Sequence, residues 1–360
     1  MFQPEVIVVG GGLVGLACAT AVAREGGRVR VVSSSEPGAA SGVSAGILAP
    51  SVGSAPASAR NLGWIARDLY PEYVTALVSR TGRHVSLDRL GVLEVALDET
   101  EAVAIRARLE GESIWVDADT LRRLEPSLAP AVGAALHPSD GAVDAAALLD
   151  AMRASADRDS RVMCSTGRVI RVDGDASPLA VELENGERIE GDTIVLAAGA
   201  WVGSIQGLPG PLPVVPVRGQ ILVFDTPGPH HVLMGEHGYV VSRGNRSLVG
   251  STMERVGFDA ATTAGGAEEI RRIALELSPS LGGSVPVAHW AGLRPVTPDL
   301  LPIVGRDPQC DGLIYACGHS KNGVLLAPLT GQVVADLVGR GSSAIDVGAY
   351  APDRFRKMDR

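Results

Sequence analysis

The sequence predicts an α/β protein of two domains, in which one domain interrupts the other along the chain. The 360 residues are enough for about two domains at the usual size of roughly 100 to 200 residues each. The 44 glycines, with 46% hydrophobic and only 20% charged residues, are typical of α/β proteins rich in tight turns. Alternating strand and helix patterns open and close the chain, whereas residues 211–255 are mostly strand-like.

The first thirty residues predict one βαβ unit. "EVIVVG" predicts a strand, "LACATAVAREGG" a helix that ends at Gly26 and Gly27, and "RVRVVS" a second strand. The small residues of 33–60 have the composition of a disordered linker. We expect an ordered loop instead, because glycine and serine beside a nucleotide-binding turn let the backbone approach a ligand closely.

The middle of the chain mixes helices and strands. Residues 61–80 and 98–125 have helical periodicity, with the strand "LGVLEVAL" between them. "DAAALLDAMRASA" predicts a helix capped by Asp144. "VELENGERIEGDTIVLAAGAW" predicts a hairpin with an Asn-Gly turn, followed by a buried strand that ends in small residues.

The last third predicts strands and then a second α/β segment. The strands are "VRGQILVFD", "YVVSR" and "SLVGST", followed by the helix "AEEIRRIALELS", the strand "LIYACG" and the helix "GVLLAPLTGQVVADLVG". No fixed-period repeat is present in the sequence, which excludes solenoids and propellers. We expect one discontinuous domain of residues 1–80, 140–210 and 290–360, and a second, α+β domain of residues 81–139 and 211–289.

Charge and cysteine content argue against several classes of protein. The 32 basic and 41 acidic residues give a formal net charge of −9, so we expect no nucleic-acid partner. The cysteines contain no C-x-x-C pair, so we expect no metal site and a reduced, cytoplasmic protein. The uncharged run 6–23 has the length of a membrane span, but its four glycines and its β-rich and Ala-rich halves predict a strand and a helix instead.

A glycine fingerprint follows the first predicted strand. Gly10-x-Gly12-x-x-Gly15 opens a helix, the context in which this pattern indicates dinucleotide binding. Gly10 permits the tight turn, Gly12 lets backbone N–H groups reach a pyrophosphate, and Gly15 lets the helix pack on the strand. FAD, NAD and NADP are not separated by this motif.

The acidic residue that usually binds the ribose is displaced in this chain. It is expected about twenty positions after the glycines, where this chain has Ser33, Ser34 and Ser35, with Glu36 three residues late. A serine hydroxyl can bond the ribose, and the absence of Arg or Lys in this stretch argues against a 2′-phosphate.

Motifs along nearly the whole chain resemble one enzyme family. They are "VVGGGLVGLACA", "SAGILAP" (44–50), "LEPSL" (124–128), "ALHPSDGAVDAAALL" (135–149), "TIVLAAGAW" (193–201), "VRGQIL" (217–222), "GYVVSR" (238–243), "VGSTME" (249–254), "WAGLRPVTPDLLPIVG" (290–305) and "GHSKNGVLLAP" (318–328). The chain resembles the D-amino-acid oxidase superfamily of FAD enzymes, and within it glycine oxidase of the thiamine-pathway type. This resemblance implies a Rossmann-like FAD-binding domain with an inserted mixed-sheet substrate domain.

The resemblance also implies a set of cofactor-binding residues for non-covalent FAD. The final helix is expected to point its N-terminus at the flavin N1 and C2 carbonyl and to stabilise the anion formed on reduction. The implied FAD-binding residues are Gly10, Gly12, Leu13, Val14, Gly15, Ser33, Ser34, Ser41, Ala45, Gly46, Ile47, Val169, Ala198, Gly199, Trp201, Gly292, Arg294, His319, Asn322, Gly323, Val324 and Leu325.

Tyr239 and Arg294 are implied to bind the substrate carboxylate. A guanidinium grips a carboxylate through two parallel hydrogen bonds, and a phenol adds a third donor. The alternative for Arg294 is a surface or inter-domain ion pair. Met253 is implied to line the pocket, although a methionine at such a position is often plain core.

The chain departs from glycine oxidases after "GH". They usually have an aromatic residue and an Arg there, whereas this chain has Ser320 and Lys321. Lysine keeps the positive charge of arginine but lacks its planar fork. The related sarcosine oxidases resemble this chain in having a lysine in the corresponding loop, where it helps to hold the substrate carboxylate. We therefore expect Lys321 to bind substrate. We assign Ser320 and His319 to the pocket, His319 either as a participant in the chemistry or as a hydrogen-bonded structural residue.

The activity implied is oxidative deamination of a small amino acid. Hydride passes from the α-carbon of glycine, sarcosine, another N-substituted glycine or a small D-amino acid to flavin N5, and hydrolysis of the imine gives a 2-oxo acid such as glyoxylate and ammonia or an amine. Dioxygen is then reduced to hydrogen peroxide. The partners are this substrate and dioxygen, with no membrane and with homo-oligomerisation left open. The alternatives are a dehydrogenase with another electron acceptor, an NAD-dependent enzyme, and a flavin-binding protein without catalysis.

Overall fold

The computed structural model describes residues 5–53 and 55–355. Its helices are α1 Leu13–Arg24, α2 Ala57–Asp68, α3 Tyr70–Thr81, α4 Glu99–Arg106, α5 Ala118–Leu124, α6 Ala145–Asp157, α7 Ala264–Leu277 and α8 Gly323–Arg340. Its strands are β1 Glu5–Val9, β2 Arg28–Ser33, β3 Ile47–Leu48, β4 Leu87–Asp88, β5 Val92–Ala96, β6 Ile114–Asp117, β7 Gly133–His137, β8 Gly141–Val143, β9 Val162–Thr166, β10 Val169–Asp173, β11 Leu179–Leu183, β12 Arg188–Gly191, β13 Thr193–Leu196, β14 Val215–Phe224, β15 Val232–Met234, β16 Tyr239–Arg243, β17 Arg246–Gly250, β18 Pro286–Val296, β19 Ile303–Asp307 and β20 Cys310–Cys317.

A six-stranded sheet forms the centre of a three-layer unit. Its strand order is β19-β20-β13-β1-β2-β9, parallel except for β19. Val6 and Val8 of β1 face the core that contains α1, α6 and α8, whereas Ile7 and Val9 face the three-stranded sheet of β10, β11 and β12. This alternation follows from the two-residue period of a strand, and it explains why β1 is apolar on both faces.

A second sheet has eight strands in the order β18-β14-β17-β16-β15-β5-β7-β6. It is antiparallel except where β15 pairs with β5. Helix α7 packs on one face, with Ile270, Ile273 and Leu277 against Leu222 and Phe224 of β14. A small sheet of β3, β8 and β4 lies beside the other face, where Ala45 and Ala142 join its core. The result is the mixed α/β architecture that the sequence predicts.

Most predicted elements form where the local signals are strong. The βαβ unit is present as β1, α1 and β2, and Asp144 caps α6 by accepting hydrogen bonds from the N–H groups of Ala146 and Ala147. The Asn-Gly turn joins β11 to β12, with Gly186 at φ +84°. Two hydrogen bonds attach described residues of the small-residue loop to the rest of the fold: the N–H of Leu13 donates to Ser41, and that of Val143 donates to the carbonyl of Gly46.

The prediction of helix throughout 98–125 was wrong. Residues 99–106 and 118–124 are helical, but Ile114–Asp117 between them is strand β6, paired with β7 from Ile114 against Leu136 to Asp117 against Gly133. The strand forms because pairing with a distant segment outweighs the local helical preference. The predicted domain division stays a prediction, and its boundary at residue 290 falls inside β18.

Two apolar stretches have the composition of membrane segments. Among the described residues, the segment Ser320–Arg340 is long and apolar enough to cross a membrane. However, 61% of an 18-residue stretch within it is buried inside the protein, where α8 packs against α1. A helix of a protein core has the same composition, so this is weak evidence for a span. The run 6–23 is divided between strand β1 and helix α1, as predicted.

Candidate active site

The carboxyl edge of the six-stranded sheet gathers most of the predicted cofactor residues. Strands β1, β2, β13 and β20 are parallel neighbours, so the segments that follow them lie at the same edge. Gly10 follows β1, Ser33 ends β2, Ala198 and Gly199 follow β13, and Gly318 follows β20. Ligands of open α/β sheets bind at this edge.

The fingerprint glycines are required by close backbone contacts. A Cβ on Gly10, which has φ +113°, would lie 2.3 Å from the Ala197 carbonyl oxygen, and one on Gly15 would lie 1.9 Å from the Gly10 carbonyl oxygen. Helix α1 begins after Gly12 without a side-chain cap, although Ser41 accepts a hydrogen bond of 3.1 Å from the N–H of Leu13. The free N–H groups and the positive end of the helix fit the pyrophosphate of a dinucleotide.

We expect Gly12→Ala to weaken FAD binding by about 10- to 100-fold, the loss of one charge-assisted hydrogen bond. The new methyl group would lie 2.9 Å from Ser41 Oγ, a flexible side chain that can rotate away, so the fold is retained. The FAD dissociation constant measured with the apoprotein checks this. Gly265→Ala is the control, because a Cβ there meets nothing within 4 Å. Equal FAD affinity in both variants would contradict the role of the turn.

A second helix N-terminus faces the same edge. Helix α8 begins at Gly323 after a short 3₁₀ turn, Ser320–Asn322, and it also lacks a side-chain cap. Helices α1 and α8 pack side by side. The side chains of Val324 and Leu325 lie in the core, so these two predicted residues would reach a cofactor through their backbone.

The loop that carries Ala45, Gly46 and Ile47 is fixed by an arginine that the sequence did not single out. Arg243 of β16 donates to the Ala45 carbonyl oxygen at 3.1 Å and lies 3.5 Å from Asp144 Oδ1. Burial lowers the pKa of Arg243, while Asp144 and Tyr239 act in the opposite direction. The available signal was its position four residues after Tyr239 on one strand, which places both on the same face.

The adenosine end of the predicted site has an unexpected ion pair. Glu36 lies 3.6 Å from Arg168 Nη1, so the late acidic residue is paired with a basic one that comes from a distant segment. Val169 follows in the core beside Val32, and the N–H of Gly167 donates to the Ser33 carbonyl oxygen. Ser34 is exposed. Residues 33–36 contain no Arg or Lys, but Arg168 places a positive charge beside them that the sequence prediction did not include.

Tyr239 and Arg294 come together although 55 residues separate them. Arg294 lies on β18 and Tyr239 on β16, with β14 and β17 between these strands. A Cβ on Gly219 of β14 would lie 1.9 Å from Arg294 Nη1, and one on Gly250 of β17 would lie 2.7 Å from the Tyr239 hydroxyl. The two glycines leave room for the guanidinium and the phenol on one face of the sheet.

Arg294 has no carboxylate partner within the part of the chain that the structure describes. Its Nη1 donates to the Thr252 carbonyl oxygen at 3.0 Å and its Nη2 to Ser251 Oγ at 2.6 Å, and no ion pair is formed. Burial lowers the pKa of Arg294. Burial also raises the pKa of Tyr239, while Arg294 and Ser251 act to lower it. A half-buried guanidinium without a counter-ion favours the binding of an anion over the ion-pair alternative.

The segment 251–263 is held on β14 by a buried polar network. Arg218, only 4% exposed, pairs with Glu254 and lies 2.8 Å from Asp259 Oδ2. Glu254 also accepts hydrogen bonds from Gln220 and Thr252, each at 2.6 Å. Burial raises the pKa of Glu254, but these bonds outweigh it and lower the pKa to about 2. The network thereby fixes Thr252, whose carbonyl contacts Arg294.

The same segment contacts the cofactor edge. Phe258 stacks on Trp201, with ring centroids 5.9 Å apart, and a Cβ on Gly38 would lie 2.5 Å from the Ala260 methyl group. Met253 is 64% exposed, and its sulfur lies 3.7 Å from Arg294 Nη1. The predicted pocket residue therefore lies beside the predicted carboxylate-binding residue.

Residues 319–321 have three different environments. His319 is buried, its Nε2 lies 3.0 Å from Thr330 Oγ1, and burial lowers its pKa to about 4, which favours the structural role. Ser320 has φ +48°, and its hydroxyl oxygen is buried without a hydrogen-bond partner in the described residues. Lys321 is exposed. Their turn packs against β18, the strand that carries Gly292 and Arg294.

Known proteins share this sequence and architecture. The family model of FAD-dependent oxidoreductases (DAO) matches residues 5–337. A glycine oxidase from Pseudomonas putida is 33% identical over 362 residues, which cover 97% of this chain and 98% of that protein. A bifunctional ThiO/ThiG protein from Trichormus variabilis is 33% identical over 370 residues, and the chain spans 55% of its length.

Solved structures agree with these matches. The crystal structure of glycine oxidase from Geobacillus kaustophilus has a TM-score of 0.91 and 31% identity, covering 98% of this chain and 99% of that one. An iminodiacetate oxidase from a Chelativorans species has a TM-score of 0.88 and 26% identity, covering 96% and 98%. With the dinucleotide edge and the glycine turn described above, these matches show that the chain belongs to the DAO family of FAD-dependent oxidoreductases and is a glycine oxidase-like enzyme that acts on amino or amine donors.

Proposed function

We propose that the enzyme oxidises glycine or an N-substituted glycine with dioxygen and releases a 2-oxo acid, an amine or ammonia, and hydrogen peroxide. The observation that carries this proposal is the half-buried Arg294 guanidinium, which lies beside the Tyr239 phenol without a carboxylate partner in the described part of the chain. Such a pair of donors is suited to an α-carboxylate.

The protein's own groups would bind and orient the substrate. Arg294 and Tyr239 hold the carboxylate, which fixes the position of the α-carbon relative to the cofactor edge. FAD, when bound, supplies the hydride acceptor and the route of electrons to dioxygen. Among the described residues, Arg294 has no recorded hydrogen bond or ion pair with a His or a carboxylate that could act as a strong base. The substrate amine would therefore bind in its neutral form, with orientation and charge as the main contributions of the protein.

The residues at 320 and 321 favour a substrate larger than glycine. Serine is smaller than the aromatic residue that glycine oxidases usually have at this position, in a turn that packs on β18. Lys321 is exposed and forms no recorded ion pair among the described residues. The similar protein from Chelativorans is an iminodiacetate oxidase, and iminodiacetate is an N-substituted glycine with a second carboxylate. Lys321 would be able to attract that second negative charge.

We propose that FAD is held non-covalently. Cys317 ends β20 in the core, and burial raises its pKa to about 12, so its thiolate is scarce at neutral pH. Cys310 begins β20 and therefore lies at the opposite end of that strand from the cofactor edge. Burial also raises the pKa of Cys310. Cys317 is therefore not activated, and Cys310 is not placed, for attachment to the flavin.

The test is hydrogen peroxide release by the purified flavoprotein under air. We expect peroxide with glycine, sarcosine, N-ethylglycine or iminodiacetate, with the N-substituted compounds preferred, and less with D-alanine and D-proline. Anaerobic bleaching of the flavin without peroxide under air would instead support a dehydrogenase with another acceptor. If none of these amines gives peroxide or bleaches the flavin, the proposal is overturned.

A further inference from the structure

Arg243 joins the strand that carries Tyr239 to two other segments of the chain. It lies on β16, four residues after Tyr239 and on the same face of the sheet, because side chains alternate along a strand. Its Nη2 donates to the Ala45 carbonyl oxygen at 3.1 Å, and its Nη1 lies 3.5 Å from Asp144 Oδ1. Its side chain is 19% exposed. One largely buried cation therefore holds β16 against the segment that begins at Ala45.

The segment 45–47, which contains three of the predicted cofactor residues, is attached on two sides. On one side it lies along β8: Ile47 pairs with Ala142, and the Gly46 carbonyl oxygen accepts a 2.9 Å hydrogen bond from the N–H of Val143. On the other side the Ala45 methyl group packs in the same cluster as Val241 of β16. The recorded hydrogen bond from this segment to the eight-stranded sheet comes from Arg243.

Strand β16 keeps Arg243 at a fixed distance from Tyr239. It lies inside the sheet, with β15 paired on one side and β17 on the other. Four residues of a strand span about 13 Å, and a change in that distance would break the hydrogen bonds of the sheet. The loop that leads to Ala45 also contains Ser41, which accepts a hydrogen bond from the N–H of Leu13 at the start of α1. Arg243 therefore connects the loop of the cofactor turn to the strand of the phenol.

We propose that Arg243 is a positioning residue that sets the place of the flavin relative to the substrate carboxylate. Tyr239 and Arg294 would hold the carboxylate from the eight-stranded sheet, while the segment 45–47 would hold the flavin. Arg243 ties that segment to the same sheet. A misplacement of 1 Å between reacting groups can cost about 100-fold in rate. This inference rests on the proposed function, because it assumes that a carboxylate binds at Tyr239 and Arg294.

The test compares three properties of Arg243→Met, which keeps an apolar stem but removes the charge and the donors. Acetate binding to the FAD-loaded protein, followed by flavin absorbance, should stay within about threefold of the wild type, because Tyr239 and Arg294 are intact. Anaerobic flavin reduction by a saturating concentration of the best substrate should slow by about 10- to 100-fold. The FAD dissociation constant of the apoprotein should rise about tenfold, because the Ala45 carbonyl loses its donor.

Two further variants separate positioning from a general effect of charge or folding. Arg243→Lys keeps the charge but lacks the fork that contacts Ala45 and Asp144 together, so its reduction rate should fall between those of the wild type and Arg243→Met. Arg246→Ala is the matched control, because Arg246 is the exposed residue opposite Arg243 on β17, and it should leave all three properties unchanged. Urea unfolding of each apoprotein measures the effect on stability alone.

The outcomes distinguish this inference from the proposed function. Flavin reduction and FAD affinity equal to those of the wild type in Arg243→Met, with or without a loss of stability, would overturn the positioning role. Equal losses of acetate affinity and reduction rate would also overturn it, since Arg243 would then act on the carboxylate site itself. If Arg243→Met does not fold, Arg243→Lys is judged by the same criteria. A wild type that neither binds acetate nor is reduced by any of the amines would overturn the proposed function and this inference together.

Discussion

Replacing Arg294 with Ala is expected to lower kcat/KM by about 100-fold to several thousand-fold, the equivalent of roughly 3 to 5 kcal/mol. In the proposed site the guanidinium is the positive charge offered to the carboxylate, and its hydrogen bonds to Thr252 and Ser251 hold it in place. Without it, the substrate charge enters a half-buried site unpaired. Steady-state peroxide release with the best substrate measures the effect.

Two further variants make this expectation specific. Arg294→Lys keeps the charge but loses the planar fork, so its kcat/KM should fall between those of the wild type and Arg294→Ala. Arg246→Ala removes an exposed arginine from strand β17, which is separated from β18 by β14 and where Arg246 pairs with Asp225, and should leave kcat/KM unchanged. A loss of less than about fivefold in Arg294→Ala would remove Arg294 from the substrate site.

The elements that could be predicted from the sequence are those with local signals. The glycines after β1, the Asp144 cap and the Asn185-Gly186 turn each depend on the backbone of a few neighbouring residues. Strand β6 could not be predicted in this way, because its partner β7 determines it. The helical periodicity around it was real but was outweighed by pairing across the sheet.

The candidate site likewise contains features that local sequence signals predict and features that depend on distant segments. The cofactor turn was predicted from its spacing, whereas Tyr239 and Arg294 were predicted only through family resemblance. Their proximity depends on the register of β14 and β17, which places Gly219 and Gly250 beneath them. Neither that register nor the hydrogen bond of Arg294 to Ser251 is encoded in a local pattern.

The ion pairs were the least predictable feature. Glu36 and Arg168 are 132 positions apart in the sequence, and Arg243 and Asp144 are 99 positions apart. Each pair forms because the fold brings two separate segments of the chain together. The sequence shows which residues of these segments are charged but not which residues they pair with. The pairing of Glu36 with Arg168 was therefore not predicted.

Glu254→Gln is expected to destabilise the protein at neutral pH by up to about 3 kcal/mol, because the wild-type carboxylate has a pKa of about 2 in the folded protein against an ordinary value of 4.5. The folded-state pKa is the lower one. The stabilisation is therefore fully present above about pH 4.5 and is lost as the pH falls toward 2. The gap between wild type and variant should shrink by about 2 kcal/mol between pH 7 and pH 3.

Urea unfolding of both proteins at several pH values measures this gap. Glu236→Gln is the matched control, since Glu236 is exposed and forms no recorded hydrogen bond or ion pair in the described structure, so its removal should not change the pH profile. A gap that stays constant from pH 7 to pH 3 would show that Glu254 acts through packing and not through its charge. A gap that shrinks would show that the ionised carboxylate anchors Arg218 and Thr252, and through Thr252 the guanidinium of Arg294.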